Sequence, residues 1–216
     1  MGAIARSIAN NITTSGVFTS SAITNSSVTG ITVLANAADG ITFISSQTAN
    51  NSASISFTSG LTSTYKAYKF VFVNIKPATD NVSFDFNMST DSGSNYNVTK
   101  TTTYFWTYHD EADTLTAFQY ETDKDLAQST GYQNLMVSQG NGTDESISGS
   151  LNLFNPASTT YVKHFISSFN GYSFHNFTVN SYVAGYGNTT SAVNAIRFQM
   201  SSGNISAGTI YLYGIK

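Results

Sequence analysis

Cysteine is absent from this chain of 216 residues, which removes disulfides, thiol catalysis and zinc–thiolate sites. Charge is scarce as well. Asp, Glu, Lys and Arg make up 10% of the residues, against roughly 25% in an ordinary soluble domain. Nine Lys and Arg stand against twelve Asp and Glu, a net charge of −3. No basic stripe is available to neutralise phosphate, so nucleic acid is excluded as an expected partner. No apolar run approaches the roughly 18 residues of a membrane helix. The opening Met1-Gly2-Ala3-Ile4-Ala5-Arg6 lacks the apolar stretch of a signal peptide. The expectation is a protein made in a cytoplasm that reaches its working place without secretory export. The same observation counts against an outer-membrane barrel.

What the chain does have favours strands. Hydrophobic residues make up 40% of it and aromatics 13%, enough for a real core. Phe, Tyr, Val and Ile suit a pleated surface better than a helix. Ser, Thr and Asn together exceed a third of the residues, and their side chains compete with helical hydrogen bonding.

Composition breaks near residue 60. Before it, Arg6 and Asp39 are the only charges, and Phe18, Phe43 and Phe57 the only aromatics. Residues 3–9 suit one or two helical turns, with Ile4 and Ile8 on one face. The rest of that stretch has too little to bury to order itself. It reads as an extended N-terminal arm over 1–60, lying on the main domain or on a neighbouring chain.

Beyond it the pattern is of strands. Residues 68–75 are apolar at nearly every position, as for a strand covered on both faces. Lys76, Pro77, Asp80 and Asn81 mark a turn. Val82, Phe84, Phe86 and Met88 alternate with Ser83, Asp85 and Asn87, so the first set faces the core and the second faces solvent. Further strands fit 96–108, 114–120, 134–137, 146–154, 160–169, 172–183, 193–200 and 209–215. Asn155-Pro156, Asn170-Gly171 and Gly203-Asn204 punctuate them. The only helix candidate here is short, 123–128. The expected architecture is all-β: an antiparallel β-sandwich, jelly-roll-like, over 61–216.

Candidate chemistry is thin. His109, His164 and His175 have no metal-ligand spacing, and neither a phosphate loop nor a nucleophile elbow is present. Neither a metal nor any other cofactor is expected. Six of the twelve acids fall between Asp110 and Asp125, a pattern that suits a solvated loop better than the opposed carboxylates of a glycosidase. The best binding candidate is Tyr104-Phe105-Trp106-Thr107-Tyr108, next to Asp110 and Glu111. In a strand, Tyr104, Trp106 and Tyr108 share one face and Phe105 the other. Flat rings beside hydrogen-bonding groups suit a sugar, while an inward-pointing face makes them core.

Two stretches carry a resemblance. One is Tyr65-Lys-Ala-Tyr68-Lys-Phe-Val-Phe-Val-Asn-Ile-Lys-Pro77, followed by Phe84 to Tyr96. The other is the C-terminal run from Ile196 to Lys216, with Ser202-Gly203-Asn204-Ile205 and Gly208-Thr-Ile-Tyr-Leu-Tyr-Gly214-Ile215. Together they resemble small virion structural proteins and fibre-like domains of tailed phages, particularly marine ones, which end in a similar SGN-I-x-x-G-T-I-x-LYG-I hairpin. The resemblance implies a non-enzymatic virion protein, favoured as a capsid decoration (cement or knob) protein. The alternative is a tail-fibre or receptor-binding module that contacts host glycan, and a remote third is a glycan-cleaving enzyme. Implied partners are other virion proteins, either the major capsid protein or tail components, together with further copies of the chain.

Overall fold

The structure is a computed structural model and describes residues 40–216. These residues form twelve antiparallel strands in two packed sheets, and among them there is no helix. The strands are β1 (Ile41–Thr48), β2 (Ile55–Phe57), β3 (Ala67–Pro77), β4 (Val82–Ser89), β5 (Lys100–Asp110) and β6 (Thr116–Tyr120), then β7 (Gln133–Gln139), β8 (Ile147–Phe154), β9 (Lys163–Tyr172), β10 (Phe177–Gly187), β11 (Ala195–Met200) and β12 (Ile205–Ile215). The larger sheet has the order β1-β12-β3-β8-β9-β10-β5-β6, and the smaller β2-β11-β4-β7. The antiparallel β-sandwich expected from the sequence is the fold observed.

Two phenylalanine-rich faces close on each other. From the larger sheet come Phe70, Phe72, Phe165 and Phe169, and from the smaller Phe57, Phe84, Phe86 and Phe198, all buried. The rings meet mostly edge to face, as at Phe72–Phe198 (4.9 Å) and Phe86–Phe165 (4.9 Å), the geometry their quadrupoles favour. Each such ring contributes about 1.5–3 kcal/mol relative to an exposed one. The Ser181 hydroxyl on β10 donates to the Leu135 carbonyl on β7 at 2.6 Å, a polar tie between the sheets.

Val82, Phe84, Phe86 and Met88 all lie in this core, as their alternation predicts. Their neighbours Asp85 and Asn87 do not reach solvent, contrary to the expectation. Both are buried, because the outer face of the smaller sheet is itself covered. The Asn87 amide donates to the carbonyls of Tyr96 (2.7 Å) and Thr130 (2.9 Å), while the Tyr96 ring lies under the Arg197 guanidinium at 4.0 Å. Asn134 donates to the Asp85 carboxylate at 2.6 Å.

Three other expectations are corrected. Residues 123–128 form turns, not a helix. Asn170 and Gly171 lie inside β9, and the hairpin to β10 turns at 173–176, where Asn176 takes a positive φ of 63°. The boundary between arm and sandwich does not fall at 60/61, because β1 and β2 are members of the two sheets. β1 pairs with β12, and β2 with β11; Ile55 and Phe57 are buried. Those short apolar pairs looked too weak to order alone, and they order by adding to strands that the rest of the chain supplies. The remainder of the expected arm, with the helical turns over 3–9, lies outside the described residues.

In the larger sheet the register slips of β3 with β8 and of β3 with β12 coincide. Asn74 has a φ of 51° where the β3–β8 register slips, and Gly208 has a φ of 112° where the β3–β12 register slips. A Cβ on Gly208 would sit 2.6 Å from the Asn74 carbonyl oxygen, so only glycine allows the two strands to approach there.

A chain starting at Leu61 is expected to unfold at markedly lower denaturant than one starting at Asp39. The loss should be at least the about 3–5 kcal/mol that deletion of a buried Phe such as Phe57 costs. Equal midpoints in urea would return β1 and β2 to the arm.

Candidate functional site

Strand β5 places the aromatic run. Tyr104, Trp106 and Tyr108 stand opposite Val183, Ser181 and Val179 of β10, so all three point toward the smaller sheet. Tyr104 is wholly buried in the core, and Trp106 and Tyr108 are half-buried against its rim. Tyr108 stacks on Phe177 with centroids 5.3 Å apart and planes 12° from parallel. Burial raises the ionisation of the Tyr104 phenol above the usual range. Trp106 also lines a cleft of about 350 Å³ at the rim, with Glu121, Asp123, Lys124, Asn134 and Ser138 around it. Its Nε1–H is shut from solvent and has no hydrogen-bond partner.

The acids do not converge. The Asp110 carboxylate accepts bonds from Thr114 N (2.9 Å), Leu115 N (2.8 Å) and Thr114 Oγ1 (2.5 Å). These bonds close the β5–β6 hairpin and hold its ionisation below the ordinary value. Glu111 is exposed at the same turn, and Asp113 sits 3.1 Å from His109. Glu121, Asp123 and Asp125 follow the far end of β6, with Asp123 paired to Lys124 at 2.6 Å and Asp125 accepting the Tyr120 hydroxyl at 2.6 Å. The five residues of β6 hold the two halves of the cluster about 17 Å apart. No three His, Asp or Glu side chains among the described residues are grouped to hold a metal ion.

The most perturbed cation is structural. Lys100 is buried at the start of β5, and its Nζ donates to Asn87 Oδ1 (2.6 Å) and the Val98 carbonyl (2.8 Å). Burial pushes its ammonium down to about 7. Two strands away Lys163 is also buried, donating to the carbonyls of Tyr161 (2.6 Å) and Thr189 (3.1 Å). Gly187 of β10 stands in register with both lysines. A neutral amine is a base and a nucleophile in principle, but both amines are closed off inside one end of the sandwich.

The accessible aromatic surface is on the other side of β5. Phe105 points outward between Tyr182 of β10 and Tyr120 of β6, its register partners. It stacks beside Tyr182 (5.1 Å, 16°) and meets Phe118 at 5.5 Å. Phe118 is 72% exposed, Tyr120 48% and Tyr182 37%. Of these only Phe105 belonged to the run singled out in the sequence, and on its less favoured face. Phe118 and Tyr120 were detectable as an i, i+2 pair on one strand face. Tyr182 was not, because nothing local announces that β10 pairs with β5.

Comparison with protein-family models, with curated proteins and with solved structures finds no match to this chain. Its functional reading therefore rests on its own surfaces.

The displaced Lys100 ionisation gives a pH signature. Its folded value lies near 7 against an ordinary 10.5, so the unfolded chain binds the proton more readily. Stability from this group is complete above about 10.5 and is lost as pH falls to 7. Unfolding free energy should therefore rise from pH 7.5 to 9.5 by up to about 1.4 kcal/mol per pH unit. In Lys100→Met that slope should flatten. An unchanged slope in urea titrations would refute the assignment.

Proposed function

We propose that this chain is a non-enzymatic structural protein of a virion surface, in the first instance a capsid decoration protein of a tailed phage, seated on other virion proteins. The observation that carries the reading is the β1 edge of the larger sheet, which is unpaired on its outer side among the described residues. Strand β1 (ITFISSQT) has no charge and no proline, and among the described residues only β12 pairs with it. Monomeric sandwiches blunt such edges with lysine, proline or covering loops. Here the edge instead carries Ile41, 62% exposed, and Phe43, 56% exposed, with the half-buried Tyr213 ring 5.8 Å from Phe43. A neighbouring subunit gains both a strand partner and apolar contact by adding there. The C-terminal resemblance supplies the kind of assembly. The signature falls on β12 and the turn before it, and it is not the hairpin expected from the sequence, because β11 and β12 lie in different sheets; β12 is the strand against which β1 lies.

Antibody labelling of intact particles tests this. Label distributed over the shell is the expected result. Label confined to the tail would overturn the decoration role in favour of a tail-fibre module, and unlabelled particles would end the virion reading. Phe43→Asp should leave the melting temperature of the isolated protein within a few degrees and lower its incorporation into particles.

A further inference from the structure

We propose that the outward face of β10, β5 and β6 binds an uncharged saccharide chain, laid across the strands on a row of aromatic rings. The row is Tyr182, Phe105 and Tyr120, side chains in direct cross-strand register. Neighbouring strands are about 4.8 Å apart, so the three positions span about 10 Å, a length suited to consecutive sugar units. Phe105 and Tyr182 lie nearly parallel, 16° apart. Sugar rings present patches of C–H on their flat faces, which pack on exposed aromatic rings; Phe105 and Tyr182 stack on each other, and the most exposed rings beside them are Phe118 and Tyr120.

A second row runs beside the first, one pleat along the strands. Phe118, Thr107, Asn180 and Asn170 occupy successive strands there. Its amides are already oriented. Asn170 Nδ2 donates to Asn180 Oδ1 at 2.7 Å, and Asn180 Nδ2 donates to the Tyr182 hydroxyl at 3.4 Å. Asn170 Nδ2 also donates to Thr178 Oγ1 (3.0 Å) and the Val179 carbonyl (3.1 Å), so its donors are spent, and the capacity left for a sugar hydroxyl is the Asn170 Oδ1 acceptor, the second Asn180 N–H and the Tyr182 hydroxyl. The polar row borders a shallow trough of about 380 Å³. On the far side of the rings the small Thr103 and Ala184 leave another, of about 460 Å³.

Charge decides among ligands. No Lys, Arg, Asp or Glu occupies an outward position on β8, β9, β10, β5 or β6. A phosphate or uronate would find no ammonium or guanidinium there, only the imidazoles of His109 and His164, and the Asp125 carboxylate that accepts the Tyr120 hydroxyl repels anions from the ring row. A neutral polyol meets both of its requirements, stacking and paired donor–acceptor groups. The inference concerns the ligand of this face alone and does not depend on where the protein sits.

The test is calorimetric titration of the full chain with neutral hexasaccharides (cello-, malto-, xylo- and chito-series), with a hexagalacturonate as charged control. Binding of at least one neutral series, at about millimolar Kd or tighter, is expected. Phe118→Ala and Tyr182→Ala should each weaken it about tenfold, the worth of one ring contact. Both positions are exposed, so circular dichroism and melting temperature should not change. No binding to any neutral series, preference for the galacturonate, or affinity untouched in both variants would overturn the proposal. So would loss of binding on Asp123→Ala, which would move the ligand to the Trp106 cleft. Ultracentrifugation showing self-association that Phe118→Ala abolishes would assign the face to a second copy instead, with the same consequence.

Discussion

Phe72 is where the two sheets meet. Its ring, on β3, lies 4.9 Å from Phe169 on β9 and reaches across to Phe198 (4.9 Å) and Phe84 (5.7 Å) on β11 and β4. Four strands from both layers are therefore held by one packed cluster, at a density that tolerates little displacement. The side-chain period in a strand is two, so a slip of one residue would exchange these rings for Ser168 or Asn170, Ser83 or Asp85. The cluster fixes inward and outward positions together. The rows on the outer face owe their alignment to rings on the inner one.

Scarcity of charge shapes the rest. With so few ionised groups, the chain meets water through hydroxyls and amides, and even two of its lysines are turned inward to satisfy carbonyls at one end of the sandwich. The outer face of the larger sheet is consequently neutral over most of its width. A neutral face discriminates by shape and hydrogen bonding and is insensitive to ionic strength. Among the described residues the two ends of that sheet then differ in kind, an apolar edge at β1 and an aromatic, amide-lined surface at β5 and β6.

Much of this architecture was legible along the chain, because strands of alternating or continuous apolar residues separated by Asn, Gly and Pro turns are local signals. What stayed hidden was set by distant pairing. The alternation at Val82–Met88 identified the core face of β4, but no local signal says that Tyr96 and Thr130 cover Asn87 on the other face, or that Asn134 meets the buried Asp85 there. The most regular burial alternation belongs to β9, where the inward positions include Lys163, Ser167 and Gly171, so hydropathy conceals it. β1 and β2 looked like parts of an arm because each is completed by a partner far along the chain. For the candidate surface, the run at Tyr104–Tyr108 marked the right strand. Which side of it meets solvent depended on the neighbours that β5 acquires.

That distant completion has a consequence for biogenesis. β1 and β2 pair with β12 and β11, and the bond between Thr48 and Thr209 spans 161 positions. Within the larger sheet β12 lies between β1 and β3, and within the smaller β11 lies between β2 and β4. A ribosome that has made β1 through β10 therefore holds two sheets that each lack an internal strand. Neither layer can close until the last strands emerge, and closure then carries the entropy of a very long loop. Until that moment β3 and β4 each present an unpaired, phenylalanine-rich edge, the species most exposed to pairing with other nascent chains. The sandwich is thus completed only after β11 and β12 have left the ribosome, and the most aggregation-prone interval precedes their emergence.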